Sequence, residues 1–148
     1  MSTIEDGSDQ IELVRELFRE YGDSLDVDLC FQGFETELEE LPWEYVVLLV
    51  GRVDGDAAGC VGVRRLDDGA CELKRLYVRP TARGSGLGRR LTEAAIDRAR
   101  ELGFQRMRLD TLPSMDAARA LYATLGFVEI GAYRPNPVPG VMYLELTL

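Results

Sequence analysis

The stretch RPTARGSGLGRRL, residues 79–91, sets three glycines among four arginines and decides how the rest of the chain is read. From Lys74 to Arg90 there are six basic side chains and no acid, a concentration of like charge that calls for an anion. The glycines at 84, 86 and 88 strip side chains from a turn that leads straight into an apolar periodicity: Leu87, Leu91, Ala95, Ala99 and Leu102, ending at Gly103. A turn of this kind exposes backbone N–H groups beside the positive end of a helix dipole, which suits a phosphorylated ligand. The alternative is a glycine turn with arginines solvated around it.

Upstream of this loop the pattern is that of strands. YVVLLVGRV, AAGCVGVRRL and ACELKRLYV are separated by the turn signals DGD and DDG and read as an antiparallel meander. Before them, Asp9 and Glu12 form a capping-box pattern, and Ile11, Val14, Phe18 and Tyr21 predict a helix from about 10 to 21. A short second helix, ETELEEL, stops before Pro42. Downstream come a strand, FQRMRLD, and a helix with Ala118, Leu121, Tyr122 and Leu125 on one stripe, ended by Gly126. The tail VMYLELTL alternates, with Met142, Leu144, Leu146 and Leu148 on one face, and RPNPVPG at 134–140 reads as a mobile surface loop. The expected fold class is α/β (mixed α+β): a central, mostly antiparallel mixed sheet flanked by helices.

With 148 residues, 46 % of them apolar, the chain is expected to form a single domain over residues 1–148. No run approaches a membrane span, and the start MSTIEDGSDQ is acidic where a signal peptide would be basic, so a soluble, cytoplasmic protein is expected. Cys30, Cys60 and Cys71 lack CxxC spacing and read as buried thiols. The absence of histidine argues against a metal site and excludes a histidine base. The net charge of -9 hides an asymmetry, with fourteen acids and two bases in residues 1–45. That half argues against nucleic acid as a partner; it fits either high-salt adaptation or attraction of a cationic substrate.

The loop lacks the GK[ST] of a P-loop, and Arg89 stands where the dinucleotide fingerprint needs its third glycine. An arginine, two residues, a glycine, one residue and a glycine do fit, as Arg83, Gly86 and Gly88 within LYVRPTARGSGLGRRL. Together with the later AARALYATLGFVEI, this resembles the GNAT superfamily of acyl-CoA-dependent N-acyltransferases over roughly residues 45–148. The resemblance implies that acetyl-CoA binds as co-substrate, without a metal, between splayed strands ending at Val78 and Asp110. It places the cofactor contacts on Leu76, Tyr77 and Val78 and on the loop Arg83, Gly84, Ser85, Gly86, Leu87, Gly88 and Arg89. Met115 stands where many members carry asparagine, and Ser114 is the candidate replacement.

By the same resemblance Tyr122 is the group that protonates the departing sulfur, although its place on an apolar stripe also suits a core aromatic. With no histidine available, Glu72 or Asp110 is the candidate base. Glu72 is expected on one strand face with Lys74, Leu76 and Val78, where it either serves through water or pairs with a neighbouring cation. Phe31, Phe34, Trp43, Tyr133 and Asn136 are candidates for the acceptor pocket, the first three equally for the core. The implied activity is direct transfer of an acetyl group to a primary amine, a small cationic amine or a peptide. The alternatives are an acetyltransferase of protein N-termini or lysines, and a non-catalytic acyl-CoA-binding module. Proteins of this architecture often pair, so a homodimer is an expectation.

Overall fold

A computed structural model of the chain describes residues 1–25 and 33–148. Cys30 and Phe31 lie outside them. The elements in chain order are β1 (Ser2–Asp6), α1 (Ile11–Ser24), α2 (Phe34–Glu39), β2 (Tyr45–Val53), β3 (Asp56–Arg65), β4 (Ala70–Val78), α3 (Leu87–Glu101), β5 (Arg106–Thr111), α4 (Asp116–Thr124), β6 (Val128–Ile130) and β7 (Met142–Thr147), with a 3-10 turn at Pro80–Ala82. The seven strands form one sheet in the order β1-β2-β3-β4-β5-β7-β6. Every neighbouring pair is antiparallel except β4 and β5.

The middle of the sheet, β2 to β4, is buried on both faces, which is why β2 reads as a continuous apolar run instead of an alternating one. Val47 and Leu49 join Leu73, Leu87, Leu91 and Tyr122 in the core under α3 and α4. Leu48 and Val50 face the other way, into Val14, Leu17, Phe18 and Leu38 of α1 and α2. Phe34 belongs to this second core, against Gly22 of α1. Met142, Leu144 and Leu146 lie against the first core, as the alternation of the tail predicts.

Several expectations are corrected. The acidic start contains β1, an edge strand with Ser2 opposite Val53 and Asp6 opposite Leu49. Its residues STIED carry one large apolar side chain, so the ladder and the Glu5–Arg52 ion pair at 2.8 Å hold it. The capping box does not form: Gln10 is the N-cap, without a side-chain cap bond. Its amide instead reaches back to Asp6 O at 3.0 Å. Leu102 is 50 % exposed, because α3 ends at Glu101 and its next residue leaves the inner stripe. The loop 134–140 is tied down, with Tyr143 Oη donating to Arg134 O (2.8 Å) and Arg119 to Gly140 O (2.8 Å). Cys60 and Cys71 are free and buried, and they sit opposite Tyr77 and Arg65, out of register with each other as expected.

Candidate active site

β4 and β5 share ladder partners only at their starts, Ala70 with Arg106, Cys71 with Met107 and Glu72 with Arg108. Beyond them β4 follows β3 to Val78 and β5 follows β7 to Thr111, so the strands part in a V. Arg79 N–H donates to Ala58 O of the β3 strand at 2.7 Å. By alternation the backbone groups of Leu76 and Val78 point the other way, into the V. The Val78 carbonyl there accepts from Arg83 Nε at 3.2 Å.

A bulge reorients β4 midway. Cys60 faces Tyr77 but Gly62 faces Lys74, so Arg75 and Leu76 together oppose Val61, and Arg75 takes φ 62°. The bulge overturns the expectation of one shared face. Leu73, Leu76 and Val78 pack with the α3 core, whereas Glu72 and Lys74 alternate with Leu73 and face the opposite side. The left-handed backbone at Arg75 is held by a bidentate pair with Glu37 of α2, at 2.8 and 3.1 Å, and by the Phe34 ring 5.0 Å beneath the guanidinium.

The V opens into a cleft of about 670 Å³ beneath the glycine loop. Leu76, Tyr77 and Val78 form one wall, and Arg83, Gly84, Gly86, Leu87 and Gly88 form its end. Ser114 and Met115 lie opposite, so the candidate replacement and the departing residue both reach the cleft. Gly84 and Gly86 have φ +84° and +83° with open space at each missing Cβ, so glycine is required there by backbone conformation and not by crowding. Among the described residues the N–H groups of Gly84, Gly86, Leu87, Gly88 and Arg89 have no intramolecular acceptor, and α3 has no side-chain cap. They are the orphan donors of a helix start, an arrangement that suits an anion. The side chains of Ser85 and Arg89 turn away, to Ala82 O and to Thr124 Oγ1 (3.2 Å).

The basic stretch is largely neutralised from within the chain, which corrects its reading as charge awaiting an anion. Arg79 pairs with Glu20 at 2.6 Å, Arg75 with Glu37, and Arg89 with Glu93 at 3.6 Å. Arg83 has no carboxylate partner among the described residues and is the cation left at the cleft. Two of the acids of the first 45 residues, Glu20 and Glu37, are the other half of these pairs.

At the base of the V a smaller cavity of about 40 Å³ is lined by Lys74, Asp110 and Tyr122, with Tyr21, Leu76, Met115 and Ala118 shared with the cleft. Among the described residues Asp110 Oδ2 is buried without a hydrogen-bond partner, and burial, reinforced by the charge of Glu72, raises its pKa. Burial likewise raises that of Tyr122, keeping it a phenol. Glu72 differs sharply from Asp110. Arg64 donates to its Oε1 at 2.7 Å, and Tyr133 Oη (2.6 Å) and Arg134 donate to its Oε2. Burial opposes ionisation of Glu72, but Lys74, Arg134, Tyr133 and Arg64 outweigh it and its pKa is lowered.

The acceptor candidates are scattered. Tyr133 serves Glu72, Trp43 lies under Arg64 (5.6 Å), Asn136 accepts from Val138 N–H at 2.9 Å, and Phe34 is core. The residue that sequence reading missed is Tyr21, which lines both cavities. Its helical spacing had marked it only as core. Among the described residues no cluster of Cys, Asp and Glu side chains is spaced for a metal ion, and no helix is long and apolar enough to cross a membrane.

A mixed sheet parted at its one parallel pair, with a helix start of unpaired amides at the mouth and titratable groups at the base, defines an acyl-CoA-dependent acyltransferase. Residues 11–127 match the Acetyltransferase (GNAT) family. The chain is 39 % identical over 142 residues to an uncharacterized N-acetyltransferase of Schizosaccharomyces pombe, covering 92 % of this chain and 85 % of that protein. It is 33 % identical to the IAA acetyltransferase of Azospirillum brasilense, with 93 % and 90 % covered. A solved structure from Klebsiella pneumoniae assigned to the acyl-CoA N-acyltransferases has a TM-score of 0.76 at 28 % identity, covering 100 % and 98 % of the two chains. The chain belongs to the GNAT acetyltransferases, and its acyl donor is acetyl-CoA.

Proposed function

We propose that the protein transfers the acetyl group of acetyl-CoA directly to the nitrogen of a small, cationic primary amine, with Asp110 receiving the amine. The observation that carries this reading is the orphaned, buried Asp110 Oδ2 in the same cavity as Tyr122. A buried carboxylate without a partner is costly, and an ammonium group supplies the missing donor. The raised pKa of Asp110 brings it closer to that of an amine, which suits a general base. Glu72, with both oxygens engaged and its pKa lowered, orders the Arg64, Tyr133 and Arg134 side chains around the site.

The donor fits the cleft through the amides of Gly84, Gly86, Leu87, Gly88 and Arg89 and through Arg83 at the pyrophosphate, with the amides of Leu76 and Val78 along the strand edge. The thioester so held supplies the acyl group. Asp110 takes a proton from the bound ammonium, the neutral nitrogen attacks the acyl carbon, and the Val78 amide meets the oxygen that gains charge. As the carbon–sulfur bond breaks, Tyr122 gives its proton to the thiolate, and the second proton shed by the attacking nitrogen restores the phenol. Cys60 and Cys71 take no part: both thiols are buried, and burial pushes Cys71 up to about 12 and Cys60 higher still.

The direct test is release of free CoA from acetyl-CoA across polyamines, amino acids, aminoglycosides and short peptides. Turnover with a soluble amine is expected; acetyl-CoA binding without CoA release would replace the enzyme by a binding module. Tyr122→Phe is expected to lower kcat by roughly 100-fold with the acetyl-CoA Kd unchanged, and full turnover would remove Tyr122 from the mechanism. Gly86→Val forces a β-branched residue into left-handed backbone and turns the loop amides away. It is expected to weaken acetyl-CoA binding about tenfold by calorimetry. Wild-type affinity in both Gly86→Val and Arg83→Ala would defeat the pyrophosphate assignment.

A further inference from the structure

Tyr21, Leu76, Met115 and Ala118 line both the cleft and the small cavity at the base of the V, so together they form the passage between the two. Tyr21 comes from α1, Leu76 from β4, and Met115 and Ala118 from the start of α4. Tyr122 and Asp110 line only the base cavity, whereas Val78 and the glycine loop line only the cleft. A thioester within reach of both Val78 and Tyr122 has to straddle this passage, with its acyl chain on the cavity side. The cavity, at about 40 Å³, has room for about three waters. The acetyl methyl, the entering nitrogen and the carbon that bears it take up that room, so each carbon added to the acyl chain has to displace the acceptor or a wall.

The walls of the passage differ in how far they can give way. Met115 is unbranched and adaptable, Ala118 is already small, and Leu76 packs with the core under α3. Tyr21 is fixed on two sides: its ring stands edge-on to that of Tyr77, with centroids 6.5 Å apart, and the Arg75 guanidinium lies 5.8 Å from its centre. Arg75 is in turn held by both oxygens of Glu37. We propose that Tyr21 sets the acyl specificity of the enzyme: its ring bounds the space for the acyl chain, so that acetyl-CoA is used while butyryl-CoA and longer donors are turned away. The inference rests on the proposed reaction, which puts the acyl group between Val78 and Tyr122. No step of that reaction uses the Tyr21 hydroxyl, so the selection is made by the bulk of the ring.

The test measures kcat/KM for acetyl-, propionyl-, butyryl- and hexanoyl-CoA by CoA release, with an amine that turns over with acetyl-CoA. In the wild type the preference for acetyl over butyryl is expected to be roughly 100-fold or more. Tyr21→Ala should bring that preference below about tenfold, and Tyr21→Leu, which keeps an apolar side chain against the α1 core, should move it in the same direction. Tyr21→Phe keeps the ring and should retain most of the preference. Calorimetric titration with CoA, which carries no acyl group, checks that each variant is folded. Equal use of butyryl-CoA by the wild type, or an unchanged preference in folded Tyr21→Ala or Tyr21→Leu, overturns the inference and leaves the transferase reading standing. Bound acetyl-CoA with no CoA release to any amine overturns the transferase reading and this inference with it.

Discussion

Asp110→Asn is expected to lower kcat/KM for the amine by roughly 10²- to 10⁴-fold while leaving the acetyl-CoA Kd close to the wild-type value. The amide keeps the shape of the side chain but can neither accept a proton nor balance an ammonium. The proposed cofactor contacts lie elsewhere, on the loop and the β4 edge, so the loss should fall on the amine side. The wild-type pH profile adds a second signature. In the proposed mechanism Asp110 works as a base when ionised, so activity should fall as pH drops through its pKa, and burial moves that limb above the ordinary carboxylate value. The limb should vanish in Asp110→Asn. Near-normal kcat/KM in the variant, or an acid limb that survives it, would transfer the role of base to another group.

Glu37→Ala is expected to cost about 3–5 kcal/mol of stability, seen as a fall in Tm of about 10 °C. Glu37 is 0 % and Arg75 4 % exposed, so the truncation strands a buried guanidinium. It also takes the acceptor from Tyr45 Oη, which donates to Glu37 at 2.8 Å. The exposed pair of Arg19 and Glu35, at 3.4 Å with both side chains more than half in solvent, is the control: Glu35→Ala should change stability by less than about 1 kcal/mol. Burial resists ionisation of Glu37, but Arg75, Tyr45 and Lys74 prevail and its pKa is lowered in the fold. Its contribution is therefore fully present above the unfolded-state pKa and is lost as pH falls through the folded one. Replacing both partners by apolar residues, Glu37→Leu with Arg75→Met, should recover much of the loss in Glu37→Ala. A Tm shift in Glu37→Ala no larger than that of the Glu35 control would show that the pair does not hold the bulge in place.

Strands β2 to β4, helices α3 and α4 and the tail strand were legible because their apolar spacing matches the period of the element and each is long enough to show it. β1 and β6 were not. Val128–Ile130 is three residues long, and STIED has no run of alternating apolar residues. Both are edge strands held by the ladder with a neighbour, β1 by β2 and β6 by β7. In the site, the loop could be read directly from residues 83–89, whereas Tyr21 could not be separated from the rest of its helical stripe.

The glycine loop is determined by residues adjacent in sequence: two left-handed glycines, the helix that begins after Gly86 and the orphan amides that follow from it. Such local features survive in the one-dimensional record, and so did the family to which the chain belongs. The roles of the carboxylates do not. Glu72 and Asp110 are both carboxylates near the ends of strands, and nothing near either in sequence says which is consumed by cations and which is left bare. That depends on the bulge at Arg75, which undoes the simple alternation of β4, and on Arg64, Tyr133 and Arg134 arriving from other parts of the chain. It depends equally on β5 leaving β4 after Arg108, which sets Asp110 across a gap from Lys74. Charge acts through space, so the chemistry of these groups was decided only when the sheet brought their neighbours together.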